Sequence, residues 1–252
     1  AAPAAPPARG APPRASGWLG FIAEPSKKGD EGVRVKQVLR RSPASRASLR
    51  PGDLLTASGD TPLRTSRDLR AVSRVVGPGE DLPLTVRRGD ATLEVTLTLA
   101  PRPTQAQLLS TQLMGLPAPD ATLTSARDGS TFTLSSLRGA PVVIEFWATW
   151  CAGCKPLAPH LDALASDLGD RGHVLAITDE PAATVAKTDP AERPAHVALA
   201  PGPKTLDAFF VQQMPIVLLV DAEGVVRKAY TGLEHPEVIA KGLREALADE
   251  LK

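Results

Sequence analysis

A chain of 252 residues has room for one large domain or two of ordinary size, and 42 % apolar with 23 % charged residues is a folded-protein composition, not a disordered one. Its 29 basic and 28 acidic side chains are interspersed and leave a net charge of +1, so the concentrated basic face of a nucleic-acid binder is absent. The longest apolar run, residues 214–220, is strand-sized and well short of the roughly 18 residues that a membrane-spanning helix needs.

The chain starts on Ala1 rather than Met, so either a leader has been removed or the sequence begins at a chosen point. Residues 1–17 hold seven Ala and five Pro. That composition buries too little apolar surface to fold and reads as an extended, disordered tether. In an exported bacterial protein such a tether follows a cleaved signal or a lipid anchor, so an extracytoplasmic location is expected, periplasmic or tethered to the envelope. Only two cysteines occur, three positions apart, which excludes a structural disulfide framework.

From residue 18 to 100, short strand patterns alternate with turn signals. Residues 33–38 and 84–86 alternate inward and outward side chains, Arg88-Gly89-Asp90 is a turn, and residues 92–99 alternate again, which predicts a hairpin. Between them, residues 66–76 carry Leu69, Val72 and Val76 at helical spacing, with Ser66 as the N-cap. A small mostly-β domain with one good helix is expected. Residues 101–115, with Pro101 and Pro103 ahead of a short apolar patch, read as a linker whose middle forms a helical turn.

Residues 116–252 read as an α/β domain with a mixed central sheet. Residues 142–147 are an apolar run suited to a strand buried on both faces. Residues 154–168 carry Leu157, Leu161, Leu164 and Leu168 as a helical stripe. Residues 173–178 and 216–220 are further strands, Asp221-Ala222-Glu223-Gly224 is a turn into a strand over 225–230, and residues 236–251 form a closing helix with Ile239, Leu243, Leu247 and Leu251 spaced by four.

Cys151-Ala152-Gly153-Cys154 falls where the first of these strands gives way to its helix. A thiol there faces unpaired backbone N–H groups and the positive end of the helix dipole, which both favour thiolate. A fall in pKa from about 8.5 to about 7 raises the thiolate fraction at neutral pH from a few per cent to about half. Cys151 is expected as the exposed attacker and Cys154 as the buried resolver. Half of a zinc site is the first competing reading, but it needs a second ligand pair, and His160, His173, His196 and His235 show no metal-like pairing, so no metal is expected. Two inert core cysteines are the second, disfavoured by the polar, Gly-containing junction.

The stretch Glu145-Phe146-Trp147-Ala148-Thr149-Trp150-Cys151-Ala152-Gly153-Cys154-Lys155 resembles the active-site signature of the thioredoxin superfamily. Leu116-Pro117-Ala118-Pro119-Asp120, Leu134-Ser135-Ser136-Leu137-Arg138-Gly139 and Val220-Asp221-Ala222-Glu223-Gly224 resemble motifs of its membrane-associated or periplasmic TlpA/ResA branch. The resemblance covers residues 116–252 and implies a thioredoxin-like fold, thiol–disulfide exchange with protein substrates, a redox partner that recycles the dithiol, and no cofactor beyond the redox-active disulfide.

It also implies residue roles. The family places a cis-proline facing the dithiol at Pro215, which brings the Met214 backbone beside a bound substrate chain, and Trp150 is expected on the substrate-facing side. Glu145 stands alone in an apolar strand, where burial raises a carboxyl pKa. In thioredoxins an acid at the equivalent position lies beneath the second cysteine and shuttles its proton, and Glu145 is expected to do the same rather than sit at a solvated strand end. Pro159 resembles the kinking proline of the following helix. Lys155 could assist only weakly as an exposed charge. Asp179-Glu180, followed by Pro181, reads as a strand-end cap and turn rather than an acid–base pair.

Departures matter too. Gly153 stands where many relatives have proline, and this dipeptide influences the relative stability of dithiol and disulfide, so the direction of electron flow is not legible. Ala148 replaces the threonine that a peroxiredoxin carries three residues before its reactive cysteine, and copper-delivering relatives space their cysteines by three residues rather than two.

Trp18-Leu19-Gly20-Phe21 and Ser42-Pro43-Ala44-Ser45-Arg46-Ala47-Ser48-Leu49-Arg50-Pro51-Gly52-Asp53-Leu54-Leu55 together resemble a PDZ domain of the bacterial HtrA type. This resemblance implies a groove in which the Leu19-Gly20-Phe21 loop turns backbone N–H groups toward a C-terminal carboxylate, the peptide adds a strand beside residues 21–23, and its last side chain sits against Leu69, Val72 and Val76. An oxidoreductase with a PDZ module for partner recognition is the leading expectation. The alternative is a PDZ adapter whose redox domain is vestigial or regulatory.

Overall fold

A computed structural model describes residues 16–25, 31–189, 193–232 and 234–251. The chain divides into two compact units, residues 1–103 and 104–252. Residues 1–15 of the expected tether lie outside the described residues. Its last residue, Gly17, belongs to the first unit, since its N–H donates to the Val76 carbonyl at 3.0 Å.

The first unit is sheet-rich. Strands β1 (Phe21–Ala23), β2 (Val33–Val38), β3 (Leu54–Ser58), β4 (Thr61–Pro62), β5 (Asp81–Arg88) and β6 (Ala91–Thr98) pair antiparallel in the order β1-β2-β3-β5-β6, with β4 on β3. Period-2 alternation turns Leu82, Leu84, Val86 and Leu97 into one core with Val33, Val35, Leu55 and Leu63. The β5–β6 hairpin runs in unbroken register from Asp81↔Thr98 to Arg88↔Ala91, around the expected turn.

Helix α1 (Pro43–Arg46) is short, and α2 (Ser66–Val75) is the expected helix. Its N-cap is Thr65, not Ser66. The Thr65 hydroxyl accepts from the Asp68 N–H at 3.3 Å, and the Asp68 carboxylate accepts from the Thr65 N–H at 2.8 Å. This reciprocal box satisfies two donors at once, and a cap at Ser66 would not place Asp68 at the third helical position.

The second unit begins earlier than expected. The segment read as linker contains α3 (Gln105–Gln112), closed by a Thr104–Gln107 capping box, and Leu109 and Leu113 are buried in the unit's core. A linker could not bury these leucines. The elements β7 (Thr122–Ser125), β8 (Thr131–Thr133), β9 (Val142–Phe146), α4 (Ala158–Leu168), β10 (His173–Thr178), α5 (Ala182–Val185), β11 (Val197–Leu199), α6 (Lys204–Ala208), β12 (Ile216–Val220), β13 (Val226–Thr231) and α7 (Pro236–Glu250) follow.

The strands make a mixed sheet in the order β13-β12-β9-β10-β11-β7-β8. β9, β10 and β11 run parallel, and the flanking pairs are antiparallel. Alternation along β9 feeds both faces. Val142, Ile144 and Phe146 join Leu109, Leu113 and Phe209, whereas Val143 joins the leucines of α4 and α7. Fully buried β9 is thus the middle layer, and the residues that follow it emerge at the carboxyl edge of the parallel strands, where open α/β sheets place their sites.

Candidate active site

Cys151 and Cys154 are joined as a disulfide in the loop between β9 and α4. The expected helix starting at Cys154 is instead a run of turns, with the Cys154 N–H donating to the Cys151 carbonyl and Leu157 N–H to the Cys154 carbonyl, and regular α-helix begins at Ala158. Pro159 lacks the N–H that a helix begun at Cys154 would donate to the Lys155 carbonyl. Pro159 occupies the first turn of α4, where no donor is missed, so it starts the helix and does not kink it.

The expected contrast between an exposed Cys151 and a buried Cys154 is absent: the two are 4 % and 3 % exposed. Both pack with Trp147, Ala148 and Ala176, with Met214 alongside. Their pairing holds both sulfurs at the end of an apolar cluster. The exposed residue is the preceding one, Trp150, at 71 %.

Met214-Pro215 is a cis peptide bond leading into β12. Pro215 lies against Gly153, because a Cβ built there would stand 3.3 Å from Pro215 Cδ. Beside this contact opens a cavity of about 370 Å³ lined by Gly153, Pro156, Pro215, Glu234, His235 and Ile239, among others. The structure therefore gathers Cys151, Cys154, Trp150, Met214 and Pro215 at one edge of the sheet.

Glu145 is fully buried, and its two carboxyl oxygens have no hydrogen-bond partner among the described residues. Alternation puts it on the same face as Val143 and Trp147, between the α4–α7 cluster and the cluster that holds the cysteines. Its cross-strand neighbours are Ala176, packed with the cysteines, and Val217. Burial, with the charge of Asp162 adding to it, pushes the carboxyl up to about 8. The raised value favours the protonated form at neutral pH and leaves a minor ionised fraction.

Glu180 has a part that the sequence reading missed. It does not simply close β10. Its carboxylate accepts from the Thr149 N–H at 2.7 Å and from the Thr149 hydroxyl at 2.8 Å. The available signal was an acid two residues beyond the strand that follows the cysteine loop and its helix.

In the first unit, Leu69 is buried, and Leu19, Phe21, Val72 and Val76 pack against the same core cluster. Gly20 has φ +80°, and a Cβ on it would stand 2.1 Å from Ser42 Cβ, so only glycine fits there. Among the described residues β1 is an edge strand, paired with β2 alone. Five of the six residues expected to line a peptide groove thus belong to or pack on this unit's core, and Gly20 sits against Ser42.

Residues 114–244 match the family model described as AhpC/TSA family, and residues 17–99 match that of the PDZ domain. The chain is similar to the thiol-disulfide oxidoreductase ResA of Halalkalibacterium halodurans, 27 % identical over 108 residues that cover 42 % of this chain and 61 % of that protein. It is 29 % identical to the thiol:disulfide interchange protein DsbE of Pseudomonas fluorescens biotype C, covering 57 % of this chain and 83 % of that one. ResA of Geobacillus kaustophilus is 32 % identical, with 52 % and 76 % covered. A solved structure of a candidate thiol:disulfide interchange protein DsbE from Chlorobium tepidum superposes with a TM-score of 0.50 at 23 % identity, covering 55 % of this chain and 98 % of that one, a likeness of fold.

Proposed function

The chain belongs to the AhpC/TSA family, and from that premise we propose that it is an extracytoplasmic oxidoreductase exchanging disulfides with protein substrates, its PDZ module recruiting or orienting a partner. The observation that carries this reading is the Cys151–Cys154 disulfide in the loop after β9, with Gly153 between the two cysteines lying against the cis Pro215.

In the reducing direction, the Cys151 thiolate attacks one sulfur of a substrate disulfide. A mixed disulfide forms, and the other substrate sulfur leaves as a thiolate. Cys154 then loses its proton and attacks the Cys151 sulfur, which re-forms the Cys151–Cys154 disulfide and releases the second substrate thiolate. Two electrons pass from the enzyme dithiol to the substrate, and a redox partner restores them. Oxidation of a substrate is the same sequence reversed. The ionised fraction of Glu145 is proposed to take the Cys154 proton, and its protonated form to return one when the sequence runs in reverse. No cofactor beyond the dithiol is required.

Trp150, Met214 and the cavity beside Gly153 offer the apolar surface for a substrate chain. The extracytoplasmic location rests on the resemblance to the TlpA/ResA branch and on the Ala/Pro-rich composition of residues 1–17. Insulin reduction by the full chain tests the enzyme reading. Wild-type protein should reduce insulin with dithiothreitol as electron donor and Cys151→Ser should not, whereas equal rates would refute the proposal.

A further inference from the structure

The geometry assigns to Glu180 a role in positioning the redox loop and tuning its potential, acting through Thr149; this rests on the redox reading of Cys151 and Cys154. β9 and β10 are adjacent and parallel, so the loops that leave their carboxyl ends lie side by side. Cross-links tie the first loop to the second strand and its sequel in order. The Trp147 N–H donates to the Ile177 carbonyl at 3.1 Å, and the Trp147 indole N–H to the Ala176 carbonyl at 3.2 Å. Two residues on, both donors of Thr149 end on the Glu180 carboxylate.

Glu180 is itself held, because its N–H donates to the Thr178 hydroxyl at 3.2 Å. Thr178 is buried at the end of β10. The clamp is therefore anchored in the sheet and closes on the residue two before Cys151. A free loop would have to find this backbone conformation anew in each cycle, and charge-assisted bonds to a carboxylate hold it in advance.

The carboxylate also brings a negative charge to the approach of Cys151. Negative charge disfavours the thiolate, and a less stable reduced form makes a dithiol more reducing. Other ionisable side chains near the loop are Lys155 at its end, Asp179 next to Glu180, Glu145 in β9 with Asp162 acting on it, and Glu234 and His235 lining the cavity. Glu180 accepts from both Thr149 donors, the backbone N–H and the hydroxyl.

Glu180→Gln separates the two effects. Its carbonyl can accept from the Thr149 N–H and its amide can donate to the Thr149 hydroxyl, so the clamp survives without the charge. Glu180→Ala removes both, and Thr149→Val removes only the hydroxyl bond. Full-length variants would be titrated in glutathione buffers, alkylated at Cys151 with iodoacetamide across pH, and followed by melting and amide exchange.

E180Q should melt like wild type, titrate at a more oxidising potential, and alkylate severalfold faster near pH 6. E180A should show, in addition, faster amide exchange from Thr149 to Cys151 and a severalfold loss of kcat/KM, with T149V intermediate. The assignment falls if E180Q leaves potential and alkylation profile at wild-type values, or if E180A changes melting alone. A wild-type chain that reduces no protein disulfide would instead sink the enzyme reading, and the alkylation comparison would still decide this one.

Discussion

Gly153 and Pro215 meet so closely that a Cβ on the former would stand 3.3 Å from Cδ of the latter. Gly153 lines the neighbouring cavity of about 370 Å³, so its missing side chain leaves that wall open. Gly153→Ala limits the unfolded chain, which favours folding by about 0.4–1 kcal/mol, and crowding by a few tenths of an ångström offsets part of that. The melting midpoint should therefore move little. The cavity should narrow, so KM for a protein disulfide should rise severalfold while alkylation of Cys151 stays unchanged. Steady-state kinetics on insulin beside alkylation rates would check the split.

Glu145 gives the stability curve a recognisable pH dependence. Its folded carboxyl is raised from an ordinary 4.5 to about 8. A raised carboxyl binds its proton more tightly in the folded state, so stability is fully present below pH 4.5 and declines as pH rises through 8. Glu145→Gln removes that slope, and the difference between pH 5 and pH 8.5 should be on the order of a few kcal/mol in favour of the variant at high pH. Guanidinium unfolding at the two pH values measures it. The same variant should slow release of the mixed disulfide if Glu145 carries the Cys154 proton.

Asp53 anchors the first unit in the opposite sense. Burial acts to raise its carboxyl, but bonds from the Arg88 guanidinium at 2.7 and 2.8 Å and from the Arg50 N–H outweigh it and hold the group below its usual range. The stability it adds is present above its unfolded pKa, near 4, and is lost as pH falls through the lowered folded value. Asp53→Asn should lower the melting midpoint of this unit by about 5 °C or more at neutral pH. At pH 2 the difference should shrink. Amide exchange on β5 and β6 in the full chain reports it.

The peptide groove of the first unit calls for a ligand with a free carboxylate. A library of C-terminal decapeptides should yield binders to the wild-type chain, and amidated versions should bind at least tenfold more weakly. Val72→Ser, at a half-buried position packed on the core, should weaken the same peptides while the β5–β6 amides stay protected. Equal binding of free and amidated peptides would remove the carboxylate from the account.

The sequence carried the elements with strong periodicity or a dense motif. The apolar run of β9, the leucines of α4 and α7, the β5–β6 hairpin and the cysteine pair were all legible, because each imposes a spacing that few alternatives satisfy. The short strands β7, β8 and β11 span only three or four residues each, too few for alternation to register. The helix α3 was signalled by Thr104 and Gln107 at capping-box spacing, yet the surrounding prolines suggested a linker. The start of α4 was misjudged because a stripe of leucines does not reveal that Pro159 removes a bond from an earlier hydrogen-bond ladder. Burial of Cys151 and the Glu180–Thr149 clamp depend on two loops meeting at the sheet edge, and no local pattern encodes that encounter.

Trapping tests the central claim most directly. The reduced Cys154→Ser chain, mixed with a disulfide-bonded protein, should accumulate a covalent complex through Cys151 that dithiothreitol dissolves, because the resolving sulfur is gone. Cys151→Ser should form none under the same conditions. Equal trapping by both variants, or by neither while wild type still reduces the substrate, would contradict Cys151 as the attacking sulfur.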